Sequence, residues 1–337
     1  NFLSRRRESW LTVEPSWIIV PVLICFSGFR FSVGVDYWSY NSLFSGLLSG
    51  NGVSFEPATW LIISFVKLVN GTEQLVFFIY STVTVLSISV FIKRFSNNIH
   101  ISWIIYICFG VYFLGSLNLV RQYAAISFIA LSVVALADGK IFKSILYVLV
   151  ASLFHLSAIV FFAVIPFLNR SFSLSAYFSI IALSIFSLNI LEFLISLTKY
   201  GIYLQESHTK VMNNDRNIVL SGIFILMGGC VVIFNKMLNE IENKTIILNL
   251  CFGSFLLIFS SLFTDLPNMF FYRLNNYFMI GYLVIIGYYL SVVNWRIKAI
   301  LTTYVSVFLV SYFMLSIFVR GSKYKLIPYM LNFEVFR

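Results

Sequence analysis

Long apolar segments recur along the whole chain, and short polar stretches separate them. A bilayer-crossing helix needs about 20 predominantly apolar residues, and segments of roughly this kind are found ten times. They lie near residues 15–29, 73–92, 99–117, 119–137, 144–166, 173–197, 218–235, 245–263, 273–293 and 297–319. The pattern predicts an all-α, polytopic membrane protein with about ten transmembrane helices, formed by residues 1–337 as a single membrane domain.

One further apolar segment is too short to cross a bilayer easily. Residues 57–69, PATWLIISFVKLV, give only about 13 residues against the ~20 of a span. The segment begins with Pro57, which suits the first turn of a helix, and it carries Lys67. We therefore predict an interfacial helix within a first outer loop at about 30–72. A second large polar loop is predicted at about 198–217.

Composition agrees with this pattern. Of the 337 residues 60% are apolar and only 11% are charged, and the mean hydropathy is +0.92. The net charge of +10 would suit a nucleic-acid-binding protein, but the basic residues fall in short loops between apolar segments. In membrane proteins such clusters mark the cytoplasmic side. They therefore indicate topology, and we expect no nucleic acid among the partners.

The basic clusters predict the topology of the N-terminal half. Residues 5–7 and 93–94 are placed in the cytoplasm, which puts the loop at 30–72 outside. The same alternation puts Arg121 on the outer side and residues 138–143 inside.

The C-terminal half has two possible assignments. Simple alternation puts residues 264–273 and the basic tail inside. The basic residues of 294–298 favour the opposite assignment, which requires a re-entrant or missed segment between 170 and 217. Charge alone leaves both assignments open.

Ionisable residues within or beside apolar segments are the candidates for function, because each costs about 2.5–3.5 kcal/mol near the bilayer centre. Asp36 stands in FRFSVGVDYWSYNSLF, residues 29–44, just after the first apolar segment. Arg121 begins a helix, where a cation opposes the helix dipole, so an anionic partner or ligand is expected. His155 lies around the middle of the segment 144–166. The predicted topology brings all three to one outer compartment.

Other interpretations of these residues stay open. Asp36 would serve equally as a helix N-cap, and His155 as an ordinary interhelical hydrogen-bonding residue. Six further polar or aromatic residues are candidate ligand contacts: Arg30, Tyr37, Tyr40, Glu56, Gln122 and Arg273. Among these, Arg30 and Arg273 also suit snorkelling at the membrane interface, and Glu56 suits a helix-start acid.

The order of three motifs along the chain resembles that of a known family. The motifs are Gly-x-Asp-Tyr-x-x-Tyr at 34–40, Arg-Gln at 121–122 and Phe-His-x-Ser at 154–157. Over roughly residues 29–290 the chain resembles the EpsG family of bacterial polysaccharide proteins. That family groups with Wzy-type O-antigen and capsule polymerases and is similar to GT-C membrane glycosyltransferases. The resemblance implies a GT-C-like fold, and a further helix is expected ahead of Arg5.

The resemblance implies a polymerase. It would join undecaprenyl-pyrophosphate-linked repeat units into O-antigen, capsule or exopolysaccharide by glycosyl transfer at the outer leaflet. Such an enzyme is expected in the bacterial inner membrane, with its active site facing the periplasm or the cell exterior. Its expected partners are lipid-linked glycans as donor and acceptor, the bilayer, and a chain-length regulator.

The candidate residues can be given roles in that reaction. Arg121 would bind the pyrophosphate, because guanidinium pairs with phosphate bidentately, and Arg273 would assist it if it faces outward. Asp36 would act as base or orient the acceptor hydroxyl, and His155 would relay a proton or position a sugar. Tyr37 and Tyr40 would stack on sugar rings.

No cofactor is expected. No DxD metal motif stands near the candidate residues, so a metal need not be invoked. The chain has neither a GxGxxG nor a P-loop element for a nucleotide, and its four cysteines have no zinc-like or disulfide-like spacing.

Two other classes of membrane protein compete with the polymerase. A flippase for lipid-linked oligosaccharide would share the hydrophobicity and the intramembrane arginine, but no repeated halves are visible. A membrane acyltransferase would suit His155, but its usual acidic partner close along the chain is absent.

Overall fold

A computed structural model describes residues 14–51, 56–187, 222, 243–264, 268–321 and 325–336. The helices in these ranges are α1 Ser16–Gly28, α2 Tyr37–Ser49, α3 Pro57–Leu68, α4 Glu73–Phe95, α5 Ile99–Cys108, α6 Phe113–Asn118, α7 Val120–Ala137, α8 Ile141–Phe154, α9 Phe161–Leu168, α10 Leu174–Phe186, α11 Lys244–Ser260, α12 Asn268–Phe278, α13 Tyr282–Val292 and α14 Trp295–Arg320. Two short strands are β1 Arg30–Phe31 and β2 Met330–Leu331. The predicted loop at 198–217 and the predicted span at 218–235 lie outside the described residues.

The helical membrane class predicted from the sequence is confirmed in part. Three of the described helices are long and apolar enough to cross a membrane: α4, α7 and the Trp295–Val319 part of α14. Several shorter apolar helices accompany them, including α1, α8 and α11. The total of about ten spans stays a prediction, and so does the interfacial position of α3.

Three predicted spans are not continuous helices. The segment 99–117 divides into α5 and α6, the segment 144–166 divides at His155, and the segment 273–293 passes through a 3-10 turn, Met279–Gly281. Hydrophobicity measures whether a segment is apolar enough to enter a bilayer, and it does not register where tertiary hydrogen bonds interrupt a helix. At the third break the Tyr112 hydroxyl donates to the carbonyl of Met279 at 2.9 Å. The prediction of unbroken helices at these places is therefore wrong.

Ion pairs gather at one end of the helix bundle. Lys93 Nζ lies 3.1 Å from Glu14, next to the start of α1. Arg94 Nε lies 3.1 Å from Asp138, which also contacts Lys140 at 3.6 Å. This end, called here the basic end, therefore holds the start of α1, the end of α4 and the turn between α7 and α8.

The opposite end of α1, α4 and α7 carries β1, α2 and α3, and is called here the loop end. Gln74, in the first turn of α4, donates to the carbonyl of Gly28 at 2.5 Å. Arg30 donates to the carbonyl of Leu117 at 3.0 Å, which ties β1 to the chain just before α7. Asp36 and Arg121 therefore stand at the same end, as the sequence predicts.

The C-terminal tail, residues 325–336, also lies at the loop end. Its strand β2 pairs antiparallel with β1, so that Arg30 faces Leu331. Beyond the strand, the amide of Asn332 donates to the carbonyl of Phe29 at 2.7 Å. The amide of Thr72 donates to the carbonyl of Val335 at 3.0 Å. The tail is thus joined to the end of α1, to β1 and to the start of α4 by main-chain hydrogen bonds.

The ends of α13 and α14 bear on the two topologies that charge leaves open. Asn97, at the basic end, donates to the Ser291 hydroxyl at 3.2 Å, so α13 ends and α14 begins there. From that end α14 extends over 26 residues towards the tail. Residues 294–298 therefore lie at the same end as residues 93–94, as the second assignment requires. Most of the segment 170–217, where that assignment needs a further crossing, lies outside the described residues.

This topology predicts which residues a membrane-impermeant thiol reagent reaches from the same side. In a background with the native cysteines replaced, Glu334→Cys should be labelled from the same side as Lys67→Cys, because both lie at the loop end. Lys140→Cys, at the basic end, should be labelled only after the membrane is opened or inverted. Labelling of Glu334→Cys together with Lys140→Cys would contradict the placement of the tail.

Candidate functional site

A carboxylate, a guanidinium and an imidazole meet at the loop end. One oxygen of Glu56, Oε2, is in contact with Arg121 Nη1, and the other, Oε1, lies 3.4 Å from His155 Nδ1. The three side chains are 13%, 28% and 26% exposed, so the cluster is sheltered but reachable. Residues from three separate helices, 65 and 99 positions apart in the chain, form one polar centre.

The start of α3 holds Glu56 in place. Glu56 has extended backbone, φ −103° and ψ 119°, as the residue before a proline favours, and Pro57 begins the helix. Its carboxylate does not cap α3. One turn on, the Thr59 hydroxyl is 2.8 Å from the Tyr80 hydroxyl in the core, which fixes α3 against α4. The carboxylate thus points at groups from other helices.

The pairing of α7 with α8 brings Arg121 and His155 to the same level along the helix axes. The hydroxyls of Ser132 and Ser144 are 2.8 Å apart across the two antiparallel helices. Eleven residues lead from Ser132 back to Arg121, and eleven lead from Ser144 forward to His155. At about 1.5 Å of rise per residue the two side chains reach the same level.

His155 stands at a helix break and not in the middle of a span. Its backbone is extended, φ −157° and ψ 117°, between the end of α8 and the 3-10 turn Leu156–Val160. Phe154 stays in the core, stacked on Phe128 at 5.2 Å. Two residues after His155, the Ser157 hydroxyl is 2.8 Å from the Tyr277 hydroxyl of α12. In the Phe-His-x-Ser motif, Phe154 therefore packs in the core, His155 contacts Glu56 and Ser157 bonds to α12.

Gln122 and Arg273 lie next to the cluster. The buried Gln122 amide donates to the backbone carbonyl of Arg273 at 2.6 Å, which holds α12 beside the start of α7. The Arg273 side chain is exposed at the loop end. Arg273 therefore lies at the same end as Arg121. That this end faces outward and that Arg273 contacts a ligand both stay predictions.

Asp36 takes the N-cap position of α2, but its side chain does not cap the helix. It is half-buried and, among the described residues, its carboxylate makes no hydrogen bond or ion pair. The alternative that Asp36 serves as a capping side chain is therefore wrong. The structure places Asp36 near the cluster through Tyr40, one turn along α2, and not in contact with Arg121.

Gly34 sets the path of the loop that carries Asp36. Its φ of +97° is disfavoured for residues with a side chain, and a Cβ there would lie 2.9 Å from Asn118 Oδ1. The next amide, that of Val35, donates to the same oxygen at 2.7 Å. The glycine of the motif therefore allows the loop to approach the end of α6, directly before α7.

The two motif tyrosines have different surroundings. Tyr37 is only 1% exposed and stacks on Phe77 with ring centroids 5.1 Å apart. Its predicted stacking on a sugar ring is not possible in this arrangement, because the core already covers the ring. Tyr40 is half-buried, and the Arg121 guanidinium carbon lies 5.5 Å from its ring centroid. Tyr40 thus remains a candidate ligand contact.

Arg30 has internal partners instead of an open face. It is 1% exposed, donates to the carbonyls of Ser27 and Leu117, and lies 4.7 Å over the Phe77 ring. Burial lowers the pKa of its guanidinium to about 10, so it stays charged near neutral pH. We assign it a structural role in joining β1 to the start of α7, in place of snorkelling or ligand contact.

The cluster can bind an anion and move a proton, but it does not form a metal site. Among the described residues no group of three or more His, Cys, Asp and Glu side chains is placed to hold a metal ion. The central carboxylate is Glu56, whereas sequence reasoning gave the catalytic carboxylate to Asp36. The sequence feature that could have identified Glu56 is its position directly before Pro57, but an acid at that position also fits an ordinary helix start.

Substitution of Gly34 by alanine should destabilise the protein more than the same change at Gly50. Both have positive φ, +97° and +86°, so alanine strains each by about 1–2 kcal/mol. Only at Gly34 would the new Cβ meet neighbours, which adds about 1–3 kcal/mol. Thermal unfolding of the purified variants measures the difference. Equal melting temperatures would show that the approach to Asn118 is not tight.

Comparison with known proteins gives one match. The sequence model described as the EpsG family matches residues 16–331, nearly the whole chain. No curated protein and no solved structure matches the chain. The match includes every member of the cluster.

Proposed function

The chain belongs to the EpsG family, and from this premise we propose that it is a glycosyltransferase-type polymerase of a bacterial cell-surface polysaccharide. It would join repeat units carried on undecaprenyl pyrophosphate into O-antigen, capsule or exopolysaccharide. The observation that carries the proposal is the cluster of Glu56, Arg121 and His155 at the loop end of a helical membrane protein. Such a reaction needs an anion site, an acid–base group and access to lipid, and the cluster offers the first two within a membrane protein.

Arg121 is proposed to bind the pyrophosphate of the donor. Guanidinium keeps its charge when partly buried and bonds to phosphate through two parallel N–H groups. Arg121 Nε is buried without a hydrogen-bond partner among the described residues. The exposed Arg273, held close by Gln122, is proposed as a second phosphate contact. A metal ion is not required for this part of the mechanism.

The acceptor sugar is proposed to lie between Asp36 and the cluster. Asp36 would orient the acceptor hydroxyl, Tyr40 would stack on or bond to the sugar, and His155 would relay the proton. Glu56 and Asp36 are the two carboxylates that can receive that proton. Each is sheltered enough for its hydrogen bonds to be stronger than in bulk water.

The proposed location of the active site depends on which end of the bundle lies in the cytoplasm. With the basic end in the cytoplasm, the loop end and the cluster face the outer side of the inner membrane. Soluble nucleotide sugars are absent there, whereas lipid-linked donor and acceptor are both presented at that leaflet. A chain-length regulator is proposed as a further partner.

A flippase for the same lipid-linked units is the second candidate. The helix break at His155 favours it, because transporters often place discontinuous helices at their substrate sites. A flippase moves the unit across the bilayer without joining it to another. The two functions therefore leave different products in the cell.

Polymer length in cells lacking the native gene distinguishes these functions. Complementation with Arg121→Ala, His155→Ala or Asp36→Asn at matched membrane expression should abolish the ladder of long chains. Single repeat units should still reach the outer side. Loss of a single catalytic group typically costs about 10²–10⁴-fold in rate, enough to remove long chains. Asp138→Asn, at the basic end, should leave the ladder intact.

Two results would count against the proposal. Untransported units held inside the cell would indicate the flippase. An unchanged ladder in Arg121→Ala and His155→Ala would remove the cluster from the reaction.

A further inference from the structure

Glu56 and the donor's pyrophosphate require the same group. In the structure, Glu56 Oε2 is in contact with Arg121 Nη1. The guanidinium edges that bind a phosphate bidentately are Nη1–Nη2 and Nε–Nη2. Because Arg121 Nε is buried, the edge open to a ligand is Nη1–Nη2, and Glu56 already contacts it. The carboxylate therefore lies where a phosphate oxygen would bind.

Two anions on one guanidinium repel each other. Like charges this close repel each other more strongly near a protein surface than in bulk water, because the effective dielectric is lower there. The arginines proposed to meet the pyrophosphate are Arg121 and the exposed Arg273 beside it. While Glu56 stays on Arg121, its negative charge weakens the attraction of that guanidinium for the pyrophosphate. Pyrophosphate binding therefore favours an arrangement in which Glu56 has left Arg121.

We propose that pyrophosphate binding displaces Glu56 from Arg121 and thereby makes Glu56 the catalytic base. The inference rests on the proposed function and specifies how its anion site is connected to its acid–base group. Paired with Arg121, the carboxylate oxygen Oε2 is occupied by the guanidinium. Once released, Oε2 can accept a hydrogen bond from the acceptor hydroxyl and take its proton.

His155 gives the displaced carboxylate a second partner. Its Nδ1 lies 3.4 Å from Oε1, the oxygen that does not contact Arg121. Its position at the helix break makes it the connecting residue between α8 and the 3-10 turn. Glu56 can therefore turn away from Arg121 while it stays bonded to His155.

The reaction then balances in one step. The acceptor hydroxyl oxygen forms a bond to the anomeric carbon of the donor sugar. The bond from that carbon to the pyrophosphate oxygen breaks, and its electron pair leaves with the pyrophosphate, which Arg121 holds. The hydroxyl proton goes to Glu56 and from there through His155 to solvent. The base thus becomes available only when a donor is in place.

The distinguishing experiment measures donor binding and polymerisation in the same variants. Farnesyl pyrophosphate, a short isoprenoid pyrophosphate, is titrated into purified protein in detergent. Glu56→Gln removes the competing charge and should tighten binding by about tenfold, within the usual range for coupled sites, while the polymer ladder is lost. Asp138→Asn removes the acid that pairs with Arg94 at the basic end and should change neither measurement.

The outcomes separate this inference from the proposed function. If Arg121→Ala loses binding and the ladder, but Glu56→Gln binds no more tightly than the unaltered protein, the displacement is wrong and the polymerase remains. If Arg121→Ala retains both, the proposed function itself fails. An intact ladder in Glu56→Gln would also overturn the role of Glu56 as base.

A second variant keeps the test decisive if Glu56→Gln does not fold. Glu56→Asp retains the charge but withdraws the carboxylate by one methylene, which weakens its contact with Arg121. Binding of farnesyl pyrophosphate should tighten by a few-fold, because the carboxylate then competes less strongly for Arg121. Unchanged or weaker binding in a folded Glu56→Asp protein would overturn the proposal.

Discussion

The ion pair between Glu56 and Arg121 is the contact on which the arrangement of the loop end depends. Charges in a mainly apolar chain are costly unless they are paired, and removing one partner leaves the other unpaired and sheltered. The pair joins the start of α3 to the start of α7, and His155 adds the end of α8. Hydroxyl pairs between Thr59 and Tyr80 and between Ser132 and Ser144 hold the same helices in register.

The same constraint explains the helix break at this point. A bilayer tolerates interrupted helices only where protein groups or a polar cavity satisfy the freed backbone. At the break, His155 contacts Glu56 and Ser157 bonds to Tyr277, so that the interruption lies against protein. The break thus places the His155 imidazole beside the Glu56 carboxylate. A continuous apolar helix would present another apolar side chain at this position. The helix break and the polar cluster thus occur at the same point of the fold.

The tail and the outer loop form a second level of organisation. The strand pairing between Arg30 and Leu331 joins residues about three hundred positions apart, and Gly34 bonds through its amide to the carbonyl of Lys325 at 3.0 Å. The loop is thereby fixed on the side of β1, while the carboxylate of Asp36 stays free of partners among the described residues. A fixed loop with an unengaged acid suits a group that meets a ligand.

The sequence by itself determined the class of the molecule, the family, and the end at which its polar residues gather. Apolar length and basic clusters depend on local composition, so they can be read from the chain, and they gave α4, α7 and α14 close to their observed bounds. Only the tertiary structure decided that Glu56 occupies the centre of the site, that Tyr37 and Arg30 are internal, and that the helix ends before His155. No Gly or Pro stands at 155 to interrupt the helix. At the interruption, His155 and Ser157 contact residues 99 and 120 positions away, and local pattern carries no information about contacts between distant segments.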